Sequence, residues 1–159
     1  MAHVTIEYVI MLPLLVLQIF LFPLTASWLM NIWVNSRDSL ALKDCASHLG
    51  STMLQLYSTL SHATVSAGTA TYTPDLPPFI ENHPYTGTAN LSSSGTEPNA
   101  SKILTITLTL STTQIAADAT VTLGPNVAWQ DSTFISNSTD AIVTAQKLTD
   151  GTISLKFGG

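Results

Sequence analysis

The chain has 159 residues, of which 9% are charged and 45% hydrophobic, and its formal net charge is −5 with only five basic residues. Ordinary soluble proteins carry about 25% charged residues, and a nucleic-acid-binding surface needs a cluster of basic side chains to neutralise phosphates. Nucleic-acid binding is therefore not expected. The single cysteine, Cys45, excludes an internal disulfide, a covalently attached haem and a Cys/His zinc cluster, so no cofactor is expected.

An uncharged apolar segment runs from Tyr8 to Val34. Only four polar residues interrupt it: Gln18, Thr25, Ser27 and Asn31. About twenty apolar residues in a helix cross the hydrocarbon core of a bilayer, so the pattern predicts a membrane-spanning helix. A buried helix of a globular protein and a cleaved secretory signal are the alternatives. A signal has a shorter apolar region and a basic start, whereas no Lys or Arg precedes Glu7.

Two prolines, Pro13 and Pro23, lie inside this predicted helix. Each removes a backbone donor and crowds the preceding turn, so kinks or short unwound stretches are expected. Such breaks are tolerated in a membrane when neighbouring helices or local rearrangement satisfy the freed carbonyls, which suggests packing against other chains. Trp28 and Trp33 suit a membrane interface or, in a polymer, large packing groups.

The helix continues beyond Val34 with a heptad stripe of apolar residues at spacings of three and four. The stripe consists of Leu42, Ala46, Leu49, Met53, Leu56 and Leu60. One helical region over residues 1–61 is therefore predicted. Its apolar face could cover a folded head, contact neighbouring helices, or do both along its length. Cys45 lies on this stretch and is interpreted as a small packing residue.

Residues 62–159 are rich in Ser and Thr and are predicted to form a separate β head. The proline-rich segment from Asp75 to Pro84 indicates an extended loop. Alternating β-formers predict strands in KILTITLTLS (102–111) and ATVTL (119–123), and a hairpin turning at Asp150-Gly151 joins AIVTAQKL to TISLKF. The fold class is thus α+β: a long N-terminal helix followed by a small antiparallel β-sandwich or barrel-like head.

Three Asn-x-Ser/Thr sequons, at Asn90, Asn99 and Asn137, all lie in the head. All three are predicted to fall in loops, where a glycan could be accommodated. A head with few charges would gain solubility from sugars. Glycosylation of at least one of these sites is therefore predicted.

No arrangement of residues indicates catalysis or metal binding, so the chain is not expected to be an enzyme. The histidines are far apart, and His83 in ENHP is interpreted as a turn residue. The Asp residues near strand ends are interpreted as turn formers, which is the ordinary role of Asp there. Calcium binding is the alternative, although no Asp-x-Asp-x-Asp loop supports it. The residues concerned are His3, His48, His62, His83, Asp118, Asp131, Asp140 and Asp150.

HVTIEYVI, residues 3–10, resembles the start of archaeal type IV pilins, which commonly read Gln-Val-Ser-Ile-Glu-Tyr-Leu where a prepilin peptidase cuts. The resemblance implies cleavage between Ala2 and His3, which makes Glu7 the fifth residue of the mature chain. Here His replaces Gln, Thr replaces Ser, and only Met1-Ala2 precede the motif. Pro13 in MLPLLVL is also similar to the early proline of minor pilins from tight-adherence systems.

The resemblance implies an extracellular helical filament of identical subunits, used for adhesion or cell contact, with membrane insertion before assembly. Its partners would be the prepilin peptidase and an assembly platform. Glu7 would face a newly freed amine, its own or a neighbour's, and Gln18 and Asn31 would form hydrogen bonds between helices. Pro13 and Pro23 would lie in the assembly helix. A minor or initiating pilin and a monomeric membrane-anchored binding module are the alternatives.

The basic residues give a conflicting indication of orientation. Arg37 and Lys43 follow the apolar segment, so the positive-inside rule alone would place the head in the cytoplasm. The sequons and the Ser/Thr-rich composition favour the outside. The outside location is preferred here, because the basic residues that a pilin leader carries would lie ahead of His3.

Overall fold

The computed structural model describes residues 2–97 and 99–158, with side chains described from Val9 onward. One helix is followed by eight strands. The elements are α1 (Ala2–Ser61), β1 (Gly68–Tyr72), β2 (Tyr85–Ser93), β3 (Lys102–Leu110), β4 (Ala116–Leu123), β5 (Val127–Trp129), β6 (Phe134–Ile135), β7 (Ile142–Lys147) and β8 (Ile153–Gly158). The predicted α+β class with a long N-terminal helix is confirmed. The chain consists of two compact units, residues 1–37 and residues 38–159, and the boundary between them lies within α1.

The strands form two four-stranded sheets, in the orders β1-β7-β8-β5 and β4-β3-β2-β6. Neighbouring strands are antiparallel in every pair except β5 and β8, which run parallel with Val127 opposite Ile153. The head is therefore rich in antiparallel pairs, as expected. The parallel pair was not anticipated, because β5 is only three residues long and has no alternating pattern.

The strands predicted from alternation are confirmed as β3, β4 and the β7–β8 hairpin. Leu104, Ile106 and Leu108 of β3 are fully buried, while the threonines between them are half-exposed. At the hairpin, Gly151 has a φ of 86°, a conformation that glycine adopts without steric cost. The Asp150 carboxylate accepts a hydrogen bond of 2.9 Å from the Thr152 amide, which fixes the turn.

The region between α1 and β3 contains more regular structure than the sequence indicates. Strands β1 and β2 lie in it, and β2 is a central strand between β3 and β6. Its sequence, YTGTANLSS, has few large apolar residues, so pairing with β3 rather than apolar alternation stabilises it. Within the proline-rich loop, Ile80 and His83 exchange two backbone hydrogen bonds around Glu81 and Asn82, whose φ values are 50° and 65°.

The second half of α1 belongs to the core of the head. Leu42, Ala46, Leu49 and Met53 are completely buried, Leu60 is 5% exposed, and Leu56 is half-buried. The predicted heptad stripe therefore covers the head. Gly50 lies close to the sheet, because a Cβ atom there would lie 2.6 Å from Cγ2 of Val121 in β4.

The β4-β3-β2-β6 sheet packs one face against α1, and its opposite face carries rows of short polar side chains. Across β2 and β3, Thr86 lies opposite Thr109, and Thr88 lies opposite Thr107. The next row places Asn90 opposite Thr105, which in turn lies opposite Thr120 of β4. These side chains are half-exposed or exposed. We call this set of residues the threonine face.

Candidate assembly surface

The apolar segment of α1 exposes its side chains on every side. All of its large hydrophobic side chains from Val9 to Val34 are at least 39% exposed, and Phe22 reaches 77%. The helix is long and apolar enough to cross a membrane, and no residue of its most apolar stretch is buried. The alternative of a helix buried within this chain is therefore wrong for this segment. An apolar surface of this extent is unfavourable in water, so either lipid or other protein chains must cover it.

Both prolines lie within uninterrupted helix. The expectation of short unwound stretches at Pro13 and Pro23 is therefore wrong, because α1 is helical from Ala2 to Ser61. Proline still lacks the amide that would bond to the carbonyl four residues earlier, on Val9 and Ile19 respectively. These two carbonyls are acceptors without their usual helical donors.

The polar side chains of the segment differ in how they are satisfied. The Thr25 hydroxyl donates to the carbonyls of Leu21 and Phe22, at 3.0 and 2.9 Å, so it is satisfied within the helix. Gln18 and Asn31 are exposed, and within the described residues their side chains make no hydrogen bond. Their amides therefore have donors and acceptors available to a neighbouring helix.

The residues of the predicted processing site lie at the beginning of α1. The backbone of Ala2, His3 and Glu7 is helical, but their side chains lie outside the described residues. Cleavage after Ala2 and pairing of Glu7 with an amine stay predictions.

The three sequons are exposed, but they do not all lie in loops. Asn99 and Asn137 are in turns, as predicted. Asn90 lies in the middle of β2, so the loop prediction is wrong there. The strand was not predicted because the sequence around Asn90 is rich in Thr and Ser and has few large apolar residues. Its side chain points to the threonine face, which leaves it open to solvent. Glycosylation stays a prediction for all three.

Comparison with known proteins gives no match. No family model, curated protein or solved structure matches the chain. The interpretation of the apolar segment therefore depends on its own residues and their surroundings.

The described titratable side chains do not gather into a metal-binding cluster. No group of three or more His, Cys, Asp or Glu side chains that could hold a metal ion occurs among the described side chains of residues 9–97 and 99–158. Cys45 is buried among core residues and lies within hydrogen-bonding reach of the Tyr85 hydroxyl. Burial raises the pKa of the Cys45 thiol, which favours the unreactive protonated form. This agrees with the packing role expected for Cys45.

Burial of a carboxylate was not predicted from the sequence. Asp38 is only 3% exposed, and its Oδ1 atom has no hydrogen-bond partner among the described residues. Asp38 precedes Leu42 by four residues, so extending the heptad stripe by one step would have placed it on the buried face. An isolated Asp carries no other sequence signal of burial.

Proposed function

We propose that this chain is the repeating structural subunit of an archaeal type IV pilus-like filament on the cell surface. The subunit would insert in the membrane first, and then polymerise through the apolar segment of α1. The filament would serve adhesion or contact between cells. The chain would have no catalytic activity of its own.

The observation that carries this proposal is the uncovered apolar segment from Val9 to Val34, on a chain whose residues 38–159 have their own core. In a membrane, lipid covers the segment; outside it, copies of the same segment can do so. Burying 1,000 Å² per subunit is worth about 25 kcal/mol before the costs of ordering. The motif at residues 3–10 adds the processing step that pilins require.

Two further features support polymerisation over simple anchoring. Gln18 and Asn31 present amides in an otherwise apolar surface, and interhelical hydrogen bonds would satisfy them. The carbonyls of Val9 and Ile19 lack helical donors, so they are further acceptors for a neighbouring chain. An anchor that only met lipid would leave these groups unpaired in hydrocarbon.

A minor or initiating pilin shares all of these features. Pro13 favours this alternative specifically, because it is similar to the early proline of tight-adherence minor pilins. A monomeric membrane-anchored binding module is the alternative from another class. It would need the segment only as an anchor.

The test is to shear material from cells that express the tagged chain, and to examine it by electron microscopy with antibody labelling. A filament labelled along its whole length is the result expected of the repeating subunit. Label confined to the ends would indicate a minor pilin. Recovery only as a monomer in detergent-solubilised membranes would overturn the proposal. Mass spectrometry of the mature N-terminus should find a free His3 amine, whereas an intact Met1 contradicts pilin processing.

A further inference from the structure

Four strands form the edges of the two sheets, and only two of them are long. The edges are β1 and β5 of one sheet, and β4 and β6 of the other. Strands β5 and β6 have three and two residues, whereas β1 has five and β4 has eight. Very short edge strands resist pairing with another chain. Thus β1 and β4 are the edges that could accept a further strand.

The outer edges of β1 and β4 have unpaired backbone groups. In the part of the chain that the structure describes, β1 pairs only with β7, β4 pairs only with β3, and no other backbone hydrogen bond reaches either strand. Monomeric proteins usually protect such edges with lysine, proline or a bulge. Neither strand contains lysine or proline, both pair in continuous register, and Asp118 is their only charged residue.

A groove beside β4 gives room for an added strand. It has a volume of about 690 Å³, with residues 118–122 of β4 on one side and α1 on the other. The helix contributes Lys43, Ser47, Ser51 and Leu54. Ser47 and Ser51 are small, and Leu54 is 42% exposed. A strand that continued the sheet past β4 would lie over this helix face and cover Leu54.

We propose that β4 of one copy pairs edge to edge with β1 of the next copy. This inference rests on the proposed filament and names a contact between its heads. The two edges are different surfaces of the chain, so each copy would use β4 toward one neighbour and β1 toward the other. Such a heterologous contact builds an open helical polymer when the rotation between successive copies does not close a ring. Pairing β4 with β4 would instead close a dimer.

Main-chain hydrogen bonds would stabilise this contact, and the side chains of the two strands do not oppose the pairing. Strand β1, GTATY, is uncharged, so it brings no charge against Asp118 or Lys43. Its five residues fit within the eight of β4. Both strands are rich in threonine and alanine, which pack without clashes between paired strands.

The test is a cross-linking experiment on sheared filaments of the full chain. A double variant carries Thr71→Cys on β1 and Thr120→Cys on β4, both at exposed positions. The filaments are treated with copper phenanthroline, or with a short bifunctional maleimide, and run on a denaturing gel. A ladder of covalent multimers is expected. Native Cys45 is buried, so the unchanged chain should give no ladder.

The controls separate this pairing from other contacts. Each single variant should stay monomeric on the gel, and so should a double variant with Thr112→Cys and Thr139→Cys, two exposed turn positions. Dimers from Thr71→Cys or Thr120→Cys alone would mean that like edges pair, which overturns the inference. A ladder from the turn pair equal to that from the edge pair would do the same.

Hydrogen exchange of the unchanged chain gives an independent measurement. In filaments, the outward amides of β1 and β4 should exchange at least tenfold more slowly than in the detergent-solubilised monomer, while those of β6 should not change. Filaments without a ladder and without this protection would overturn the pairing and leave the filament proposal standing. If the unchanged chain forms no filament, the proposed function fails, and this inference fails with it.

Discussion

Glu7 is the only Asp, Glu, Lys or Arg residue in the chain before Arg37. A carboxylate among packed apolar helices is costly unless a positive partner offsets its burial. Cleavage after Ala2 would supply that partner as the amine of His3, on the same chain or on a neighbour. Glu7 would then help to set the register of each incoming subunit. The alternative is a residue that only marks the membrane interface.

We expect Glu7→Ala to reach the membrane normally but to lower the yield of filaments at least tenfold. The carboxylate that pairs with the amine is lost, while the apolar segment is unchanged. The measurement compares the chain in membrane and sheared fractions by immunoblot. Glu97→Ala, which removes an exposed carboxylate in the head, is the control and should assemble normally. Normal filaments from Glu7→Ala would refute the role.

Tyr85 is a fully buried polar side chain at the centre of the head. Its hydroxyl donates a hydrogen bond of 2.8 Å to the Pro77 carbonyl, and its ring stacks against Phe134. Burial raises the pKa of Tyr85 far above its usual value, and the nearby Cys45 thiol raises it further. The native head therefore favours the neutral forms of both residues.

The stability of the head should consequently fall in alkali. Because both native pKa values lie above the unfolded values, the stabilisation is complete below about pH 8.5 and is lost as the pH rises past about 10. Denaturant titrations of the full chain in detergent, from pH 7 to 11, measure the free energy of unfolding.

Tyr85→Phe tests the origin of this pH dependence. It should cost about 1 kcal/mol at pH 7, because the bond to Pro77 is lost, but should show a shallower decline above pH 10. Tyr72→Phe changes a tyrosine that is 47% exposed and should keep the original slope. An equal slope in the Tyr85 and Tyr72 variants would contradict the assignment.

At the scale of elements, α1 has two surroundings along one continuous helix. Residues 9–34 expose their apolar side chains, whereas the heptad stripe from Leu42 to Leu60 is buried in the head. The sequence left open whether the stripe covers the head or contacts neighbouring helices. Burial of Leu42, Leu49 and Met53 within the single chain decides for the head.

Leu49→Ala should destabilise the head by about 3 kcal/mol, since it removes a fully buried side chain and leaves a cavity. Leu54→Ala is the matched control on the same helix. Leu54 is 42% exposed, so its loss should cost less than about 1 kcal/mol in the detergent-solubilised monomer. Denaturant midpoints of the two variants measure the difference. Equal destabilisation by the two variants would contradict the description of Leu49 as buried in the head and Leu54 as exposed on another side of the helix.

The elements that the sequence predicted are those in which large apolar residues recur with a clear period. Strand β3 and the stripe of α1 follow this rule, and the β7–β8 turn has its Asp150-Gly151 signal. Strand β2 was missed, because its pairing with β3 compensates for a sequence of short polar residues. The apolar segment could be identified from composition alone. The edges that β1 and β4 form depend on sheet order, which no local pattern encodes.

At the scale of the whole molecule, the exposed apolar side chains are concentrated in the apolar segment of α1. The effect of a new charge should therefore depend on whether it lies in that segment or in residues 38–159. Leu17 and Leu40 are similarly exposed, at 57% and 61%, but only Leu17 lies in the apolar segment. A charge near the middle of a membrane span costs about 3 kcal/mol, which a segment this apolar can absorb. Between packed helices in a filament, an unpaired ammonium would have no water or lipid headgroup to reach.

We therefore expect Leu17→Lys to enter membranes but to lose filaments, and Leu40→Lys to retain both. Membrane extraction with carbonate reports insertion, and electron microscopy of the sheared fraction reports assembly. If Leu17→Lys formed filaments as abundantly as Leu40→Lys, the apolar segments would not pack against one another.

The threonine face has a consequence for the conditions in which the head stays hydrated. Hydroxyl and amide groups do not titrate between strong acid and strong base, and counter-ions do not screen them as they screen charges. The hydration of the Thr88, Thr107 and Asn90 side chains should therefore not depend on pH or on salt, unlike that of the Asp118 carboxylate opposite Thr107. A protein surface that relies on carboxylates loses its charge in acid, whereas the hydroxyl and amide groups of this face do not change. The threonine face can thus stay hydrated through changes of pH that would discharge a surface of carboxylates.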